Sequence, residues 1–147
     1  MKSYESKIGK VSLVLMEEID VFSKDVINQL TVIKEEWVRF ENSFTSLKGR
    51  KLMGLAYGEP GNGIYRLCST ILPSDPIGEV THEVKKVPGG YYLRHRITGT
   101  LPQLYDNIGT AFQLVFDNHI EIIDWERPTI EYYKSKVVID CLVPVKL

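Results

Sequence analysis

Along this chain, apolar positions recur with two periods, two and 3.6, and the switches between them mark out the elements. Lys10 to Ile19 carries Val11, Leu13 and Leu15 on one face and Val14 and Met16 on the other, which predicts a strand buried on both sides. A helix follows, with Ser23 as its cap and Val26, Leu30, Ile33, Trp37 and Phe40 as its apolar stripe; Lys34, Glu35, Arg39 and Glu41 occupy the opposite face. Lys51 to Tyr57 and Gly63 to Ile71 predict a hairpin joined at Gly58-Glu59-Pro60-Gly61-Asn62. After the breaker-rich segment Leu72 to Gly78, strand-like alternation returns at Glu79 to Val87, turns at Pro88-Gly89-Gly90 and continues through Tyr91 to Ile97. A second helix is predicted from Thr100, as cap, through Leu104, Ile108, Ala111, Val115 and Phe116. Ile120 to Ile123, Thr129 to Tyr133 and Val137 to Val145 are then β-like.

The order strand, helix, strand pair occurs twice. It predicts an α+β fold of two duplicated strand-helix-strand-strand units, about residues 8–73 and 79–147, within one domain spanning 1–147. Neither half can hide its apolar surface alone. Set side by side they form a pseudo-twofold antiparallel sheet with the helices on one face and a cleft at the seam. Aligning the two hairpins sets Tyr57 against Tyr133 and Leu55 against Glu131.

Composition narrows the function classes. With 147 residues, 25% charged and a net charge of −1, nothing favours direct nucleic-acid binding or an anionic membrane surface. The N-terminus lacks the apolar core of a signal peptide and no apolar run is long enough to span a bilayer, so a cytoplasmic location is expected. Cys68 and Cys141 sit in apolar runs without metal-ligand spacing and read as reduced packing residues. His82, His95 and His119 form no ligand or triad pattern. No metal and no cofactor is predicted.

One acid stands out. Glu131 lies in Pro128-Thr129-Ile130-Glu131-Tyr132-Tyr133, where strand propensity disfavours a carboxylate. On a strand it shares a face with Tyr133 and Thr129, putting negative charge beside an aromatic ring. Such a pair suits a flat lipophilic cation; the simpler reading is an edge glutamate that reaches water.

These residues resemble the GyrI-like small-molecule-binding family, which also supplies effector-binding domains of MerR-type and AraC-type multidrug regulators. The similarity rests on Glu35-Glu36-Trp37-Val38-Arg39-Phe40, on Met53 to Pro60, on Val87-Pro88-Gly89-Gly90-Tyr91-Tyr92, on Ile130-Glu131-Tyr132-Tyr133 and on Val138 to Pro144. The resemblance implies that Glu131 is the pocket acid, with Tyr57, Trp37 and Tyr133 at matching aromatic positions; Tyr65, Trp125, Tyr92 and Tyr105 are further candidates for the lining. The hairpin after the acid is shortened to Lys134-Ser135-Lys136, and the tail Lys2 to Lys7 departs from the pattern. No helix-turn-helix is legible, which suggests a stand-alone member.

The expected function is binding of lipophilic, cationic drugs or dyes in an aromatic cleft, as a multidrug-binding or sequestering protein and not as an enzyme. The enzymatic alternative, also implied by the resemblance, is a hydrolase of cyclopropane-containing alkylating natural products with Glu131 as general acid/base. A protein partner has no support in the sequence.

Overall fold

In the computed structural model, which describes residues 5–6, 9–58, 63–75, 82–100 and 102–147, two long bent strands organise the sheet. The elements are β1 (Glu5–Ser6), β2 (Gly9–Met16), β3 (Ile19–Ile27), α1 (Leu30–Asn42), β4 (Leu52–Ala56), β5 (Ile64–Thr70), β6 (Glu83–Val87), β7 (Gly90–Thr98), α2 (Gln103–Asp106), α3 (Ile108–His119), a 3-10 turn (Ile120–Ile122), β8 (Thr129–Ser135) and β9 (Val138–Pro144). Only Glu17-Glu18 separates β2 from β3, and only Pro88-Gly89 separates β6 from β7. Even so, each pair of neighbours in sequence is parted in the sheet, whose order is β1-β2-β7-β9-β8-β4-β5-β3-β6.

The register explains how. Pairing runs antiparallel from Val11↔His95 to Met16↔Gly90 and resumes from Ile19↔Val87 to Ser23↔Glu83 without a slip. Residues 9–27 and 83–98 are thus two kinked strands of one continuous ribbon, and the sheet must curl for both arms of the ribbon to join it. Its concave face closes over Val21, Met53, Leu55, Cys68, Val87, Tyr92, Ile130 and Leu142. Leaving β1 aside, the strand order also reads the same from either end when β2 to β5 are exchanged for β6 to β9, with the β4–β8 pair as the seam.

The fold is α+β with an antiparallel sheet, as the sequence predicts, but the first helix follows two strands, like the second, and not the one strand predicted. Residues 19–27 are a strand where a helix start was predicted. Ser23 is buried there and its hydroxyl donates to the Glu83 carbonyl at 3.2 Å, so it caps nothing, and the helix begins at Leu30 after Gln29. Val-Phe-Ser-Lys-Asp-Val-Ile has no clear alternation, and ladders on both sides, to β5 and β6, decide the matter. At the second helix the Thr100 carbonyl, not its side chain, accepts the Leu104 amide at 3.0 Å, and Asn107 divides α2 from α3. The strand predicted at Ile120 to Ile123 is a 3-10 turn, with Ile123 left as an isolated bridge to Val145. The turn at 59–62, the start of the strand expected at 79 and most of the tail at 2–7 lie outside the described residues.

The convex face carries the helices. α1 lays Ile33, Trp37 and Phe40 on Val26, Leu52, Ala56, Tyr65 and Leu67. α3 lays Ala111, Phe112 and Val115 on Leu93, Ile97, Ile139, Cys141 and Val143. Between the two helices run β4 and β8, where Gly54 pairs with Glu131. Cys68 and Cys141 are buried and free, and burial pushes the Cys68 thiol up to about 12, as suits packing residues. No helix among the described residues is long and apolar enough to cross a membrane.

Candidate functional site

Side-chain alternation on β8 sends Ile130 and Tyr132 to the concave core and leaves Glu131 and Tyr133 on the helix side. There, at the middle of the sheet, Glu131 Oε1 accepts hydrogen bonds from the hydroxyls of Tyr65 at 2.9 Å and Tyr133 at 2.5 Å. The Tyr65 oxygen in turn accepts the Trp37 indole N–H at 3.2 Å. Trp37 stands edge-on to Tyr133, centroids 5.6 Å apart, and edge-on to Tyr65 at 6.3 Å. Tyr105, half exposed on the short helix α2, meets Tyr133 edge-on at 6.3 Å. Four aromatic rings from α1, α2, β5 and β8 therefore surround one carboxylate.

Glu131 is only partly buried as a residue, although its carboxyl group is closely surrounded, and it lies on the stretch of sheet between the two helices, the recess bounded by α1 and α3. No Lys or Arg among the described residues pairs with it. Burial raises the Glu131 carboxyl above its ordinary value, and the hydroxyls of Tyr133 and then Tyr65 pull it back only in part. Burial, reinforced by the Glu131 charge, also holds both phenols well above the usual tyrosine value, so they remain donors. Chemically the recess offers a carboxylate with no counter-ion among the described residues, held by two hydroxyls and edged by aromatic rings. Among the described residues no cluster of His, Cys, Asp or Glu could hold a metal ion.

Of the residues singled out in the sequence, Glu131, Tyr133, Tyr65, Trp37 and Tyr105 come together. Tyr57 does not: it lies on the concave side, its hydroxyl accepting from Arg66 at 3.1 Å. Placing Tyr57 with Tyr133 would need an alignment that ignores side-chain parity, since β4 pairs Gly54, not Leu55, with Glu131. Tyr92 is fully buried on that same concave side, donating to the Pro88 carbonyl at 2.6 Å beneath the Arg127 guanidinium. Trp125 is half exposed and covers Phe116, centroids 5.4 Å apart, away from the carboxylate. A separate open concavity of about 580 Å³ at the sheet edge is lined by Ser23, Lys24, Asp25, His82, Glu83 and Lys85, and its charges are already paired among themselves and with Glu36 and Arg66.

Sequence reasoning missed Gly54. A Cβ there would lie 1.7 Å from the Tyr65 hydroxyl oxygen, so the missing side chain is what lets Tyr65 lie across β4 and reach Glu131. An isolated glycine inside Met53-Gly54-Leu55 was the available signal, since glycine within a strand often marks a close approach. Gly54→Ala should push the Tyr65 ring off the carboxylate and cost about 1–3 kcal/mol of stability. Denaturant unfolding together with the Tyr65 and Tyr133 ring resonances would check this; unchanged resonances would contradict the close approach.

The fold matches that of proteins of known structure. An integron cassette protein from Vibrio cholerae superposes with a TM-score of 0.72 at 20% identity, over 92% of this chain and 95% of that one. SAV2435, solved bound to tetraphenylphosphonium, gives 0.67 at 12% identity over 92% and 93%. The C-terminal domain of EcmrR gives 0.59 at 14% identity over 92% and 96%. The chain shares their fold. It is an arrangement consistent with the GyrI-like resemblance, and at such identities the likeness is one of fold alone. No family profile and no curated protein sequence matches the chain.

Proposed function

We propose that the recess between α1 and α3 binds lipophilic cations, drug-like or dye-like, and that the protein acts by capturing them without covalent chemistry. The observation that carries this reading is a packed carboxylate with aromatic neighbours and no cationic partner among the described residues. Leaving an acid so desolvated is costly to the free protein. A cation entering the recess removes that cost, gains ring contact and cation–π attraction, and needs few fixed polar partners, which favours breadth over strict specificity. The tetraphenylphosphonium held by SAV2435, a protein of the same fold, is a ligand of the expected kind. Duplication of a half-length ancestor is the origin we propose for the palindromic strand order.

Hydrolysis of strained alkylating agents is the weaker reading. Both tyrosine hydroxyls already donate to Glu131, so neither is aimed at a phenolate developing on a substrate. Calorimetric titration with tetraphenylphosphonium is the direct test. Binding with a Kd of roughly micromolar order is expected for a preformed apolar recess with one charge pair; absence of heat and of any thermal stabilisation at millimolar ligand would reject cation capture.

A further inference from the structure

The two oxygens of Glu131 are in unlike states. Oε1 is saturated by the hydroxyls of Tyr65 and Tyr133 at 2.9 and 2.5 Å. Oε2 takes no hydrogen bond from a described residue, and it is not among the fully buried polar atoms that lack a partner, so it keeps a small contact with solvent. Nor can the hydroxyls readily turn to it. Tyr65 is held from behind by the Trp37 indole N–H at 3.2 Å, and Tyr133 is wedged edge-on between Trp37 and Tyr105.

We infer that the site selects cations bearing an N–H, such as protonated amines or amidinium-type groups on an aromatic frame, over quaternary cations built on the same frame. This inference rests on the cation-binding reading above and specifies its ligand class. A ligand that fills the recess must cover Oε2. An ammonium N–H gives Oε2 a charge-assisted bond at about 2.8 Å in place of its contact with solvent. A quaternary centre has no donor; its carbon shell leaves Oε2 desolvated without a partner and holds the positive charge farther away, where attraction is weaker. Both ligands share one aromatic frame and so meet the rings of Trp37, Tyr105 and Tyr133 alike, and the difference between them isolates Oε2.

The test uses three ligands sharing one naphthalene frame: a dimethylaminoethyl derivative, protonated in neutral buffer, its trimethylammonium counterpart, and an uncharged isostere. With the full chain, calorimetry should show the protonated amine binding about tenfold or more tighter than the quaternary ion, and the uncharged compound weakest. In Glu131→Gln an amide N–H replaces the open oxygen, so the preference between the two cations should fall below roughly threefold. Equal affinity of the two cations in the parent, with the uncharged compound weaker, would overturn the N–H preference and leave cation capture standing. Equal affinity of all three, or no binding, would remove cation capture and this inference with it. Because the decisive comparison is between ligands on the parent protein, it survives even if the variant does not fold.

Discussion

Glu131→Gln should bind tetraphenylphosphonium about 30-fold more weakly than the parent, a loss of roughly 2 kcal/mol, at the lower end of what uncovering a desolvated charge partner costs because the onium charge sits behind its phenyl groups. Glutamine keeps the shape and a carbonyl oxygen that can still accept from Tyr65 and Tyr133, so the aromatic walls should stay in place. A neutral aromatic ligand of similar size should therefore be held about equally by parent and variant. Parallel titrations decide it. Equal loss for charged and neutral ligands would mean that the substitution had disturbed the recess and not its charge.

The same substitution has a signature in pH. Burial raises the Glu131 carboxyl above 4.5 in the free protein, and a bound cation lowers it again, so binding releases a proton wherever the free site is still protonated. Cation affinity should therefore rise with pH, by up to about tenfold per unit below the raised value, and level off above it. In Glu131→Gln the profile should be flat across that window. Stability moves the other way. Between the ordinary and the raised values the folded protein holds a proton that the unfolded chain has released, so stability falls as pH rises through this window. The variant has no charge to bury and should escape that fall, leaving it the more stable protein at neutral pH. A recess that weakens the free fold in this way is what a binding site is expected to do.

How much of this was legible beforehand depends on which periods the residues could support. β8 and β9 read plainly, because Ile130 and Tyr132 alternate with Glu131 and Tyr133 and because Val138 to Val145 is apolar on both faces. Ile33, Trp37 and Phe40 marked α1 by their helical spacing. Residues 19–27 misled because Ser23 is a good cap residue and Val26 falls in step with Leu30 and Ile33 at helical spacing; only pairing with β5 and β6, remote in sequence, tells strand from helix there. Parity was the other obstacle. Tyr57 and Tyr65 flank one hairpin and look equivalent, yet the β4–β5 register pairs Tyr65 with Ala56 and sends Tyr57 to the opposite face. The Tyr65–Glu131 hydrogen bond joins residues 66 positions apart, a relation that local pattern does not carry, whereas the one from Tyr133 spans two.

Gly89→Ala should be strongly destabilising, for a reason rooted in that remote pairing. Gly89 lies at the kink where residues 83–98 cross residues 9–27. A Cβ there would come within 2.7 Å of the Glu18 amide nitrogen and 2.8 Å of the Met16 carbonyl oxygen. Both are backbone atoms of the partner strand, so no rotamer change relieves the contact. One methyl must part the ribbon at the point that lets β2 and β3 serve opposite ends of the sheet, and it must also shift the Gly89 carbonyl, which accepts from Arg127 Nη1 at 3.0 Å. We expect a loss of about 3 kcal/mol or more, the upper range for overpacking, which for a chain of this size lowers the melting temperature by roughly 6–12 °C. Gly109→Ala supplies the contrast: on α3 nothing lies within 4 Å of the added Cβ, so helix propensity should act alone and stabilise by about 0.5–1 kcal/mol. Thermal unfolding of both variants beside the parent reads the two signs directly. If Gly89→Ala melted like the parent, the two kinked strands could not cross as closely as the unbroken register requires, and the curl that sets α1 and α3 on either side of Glu131 would need another cause.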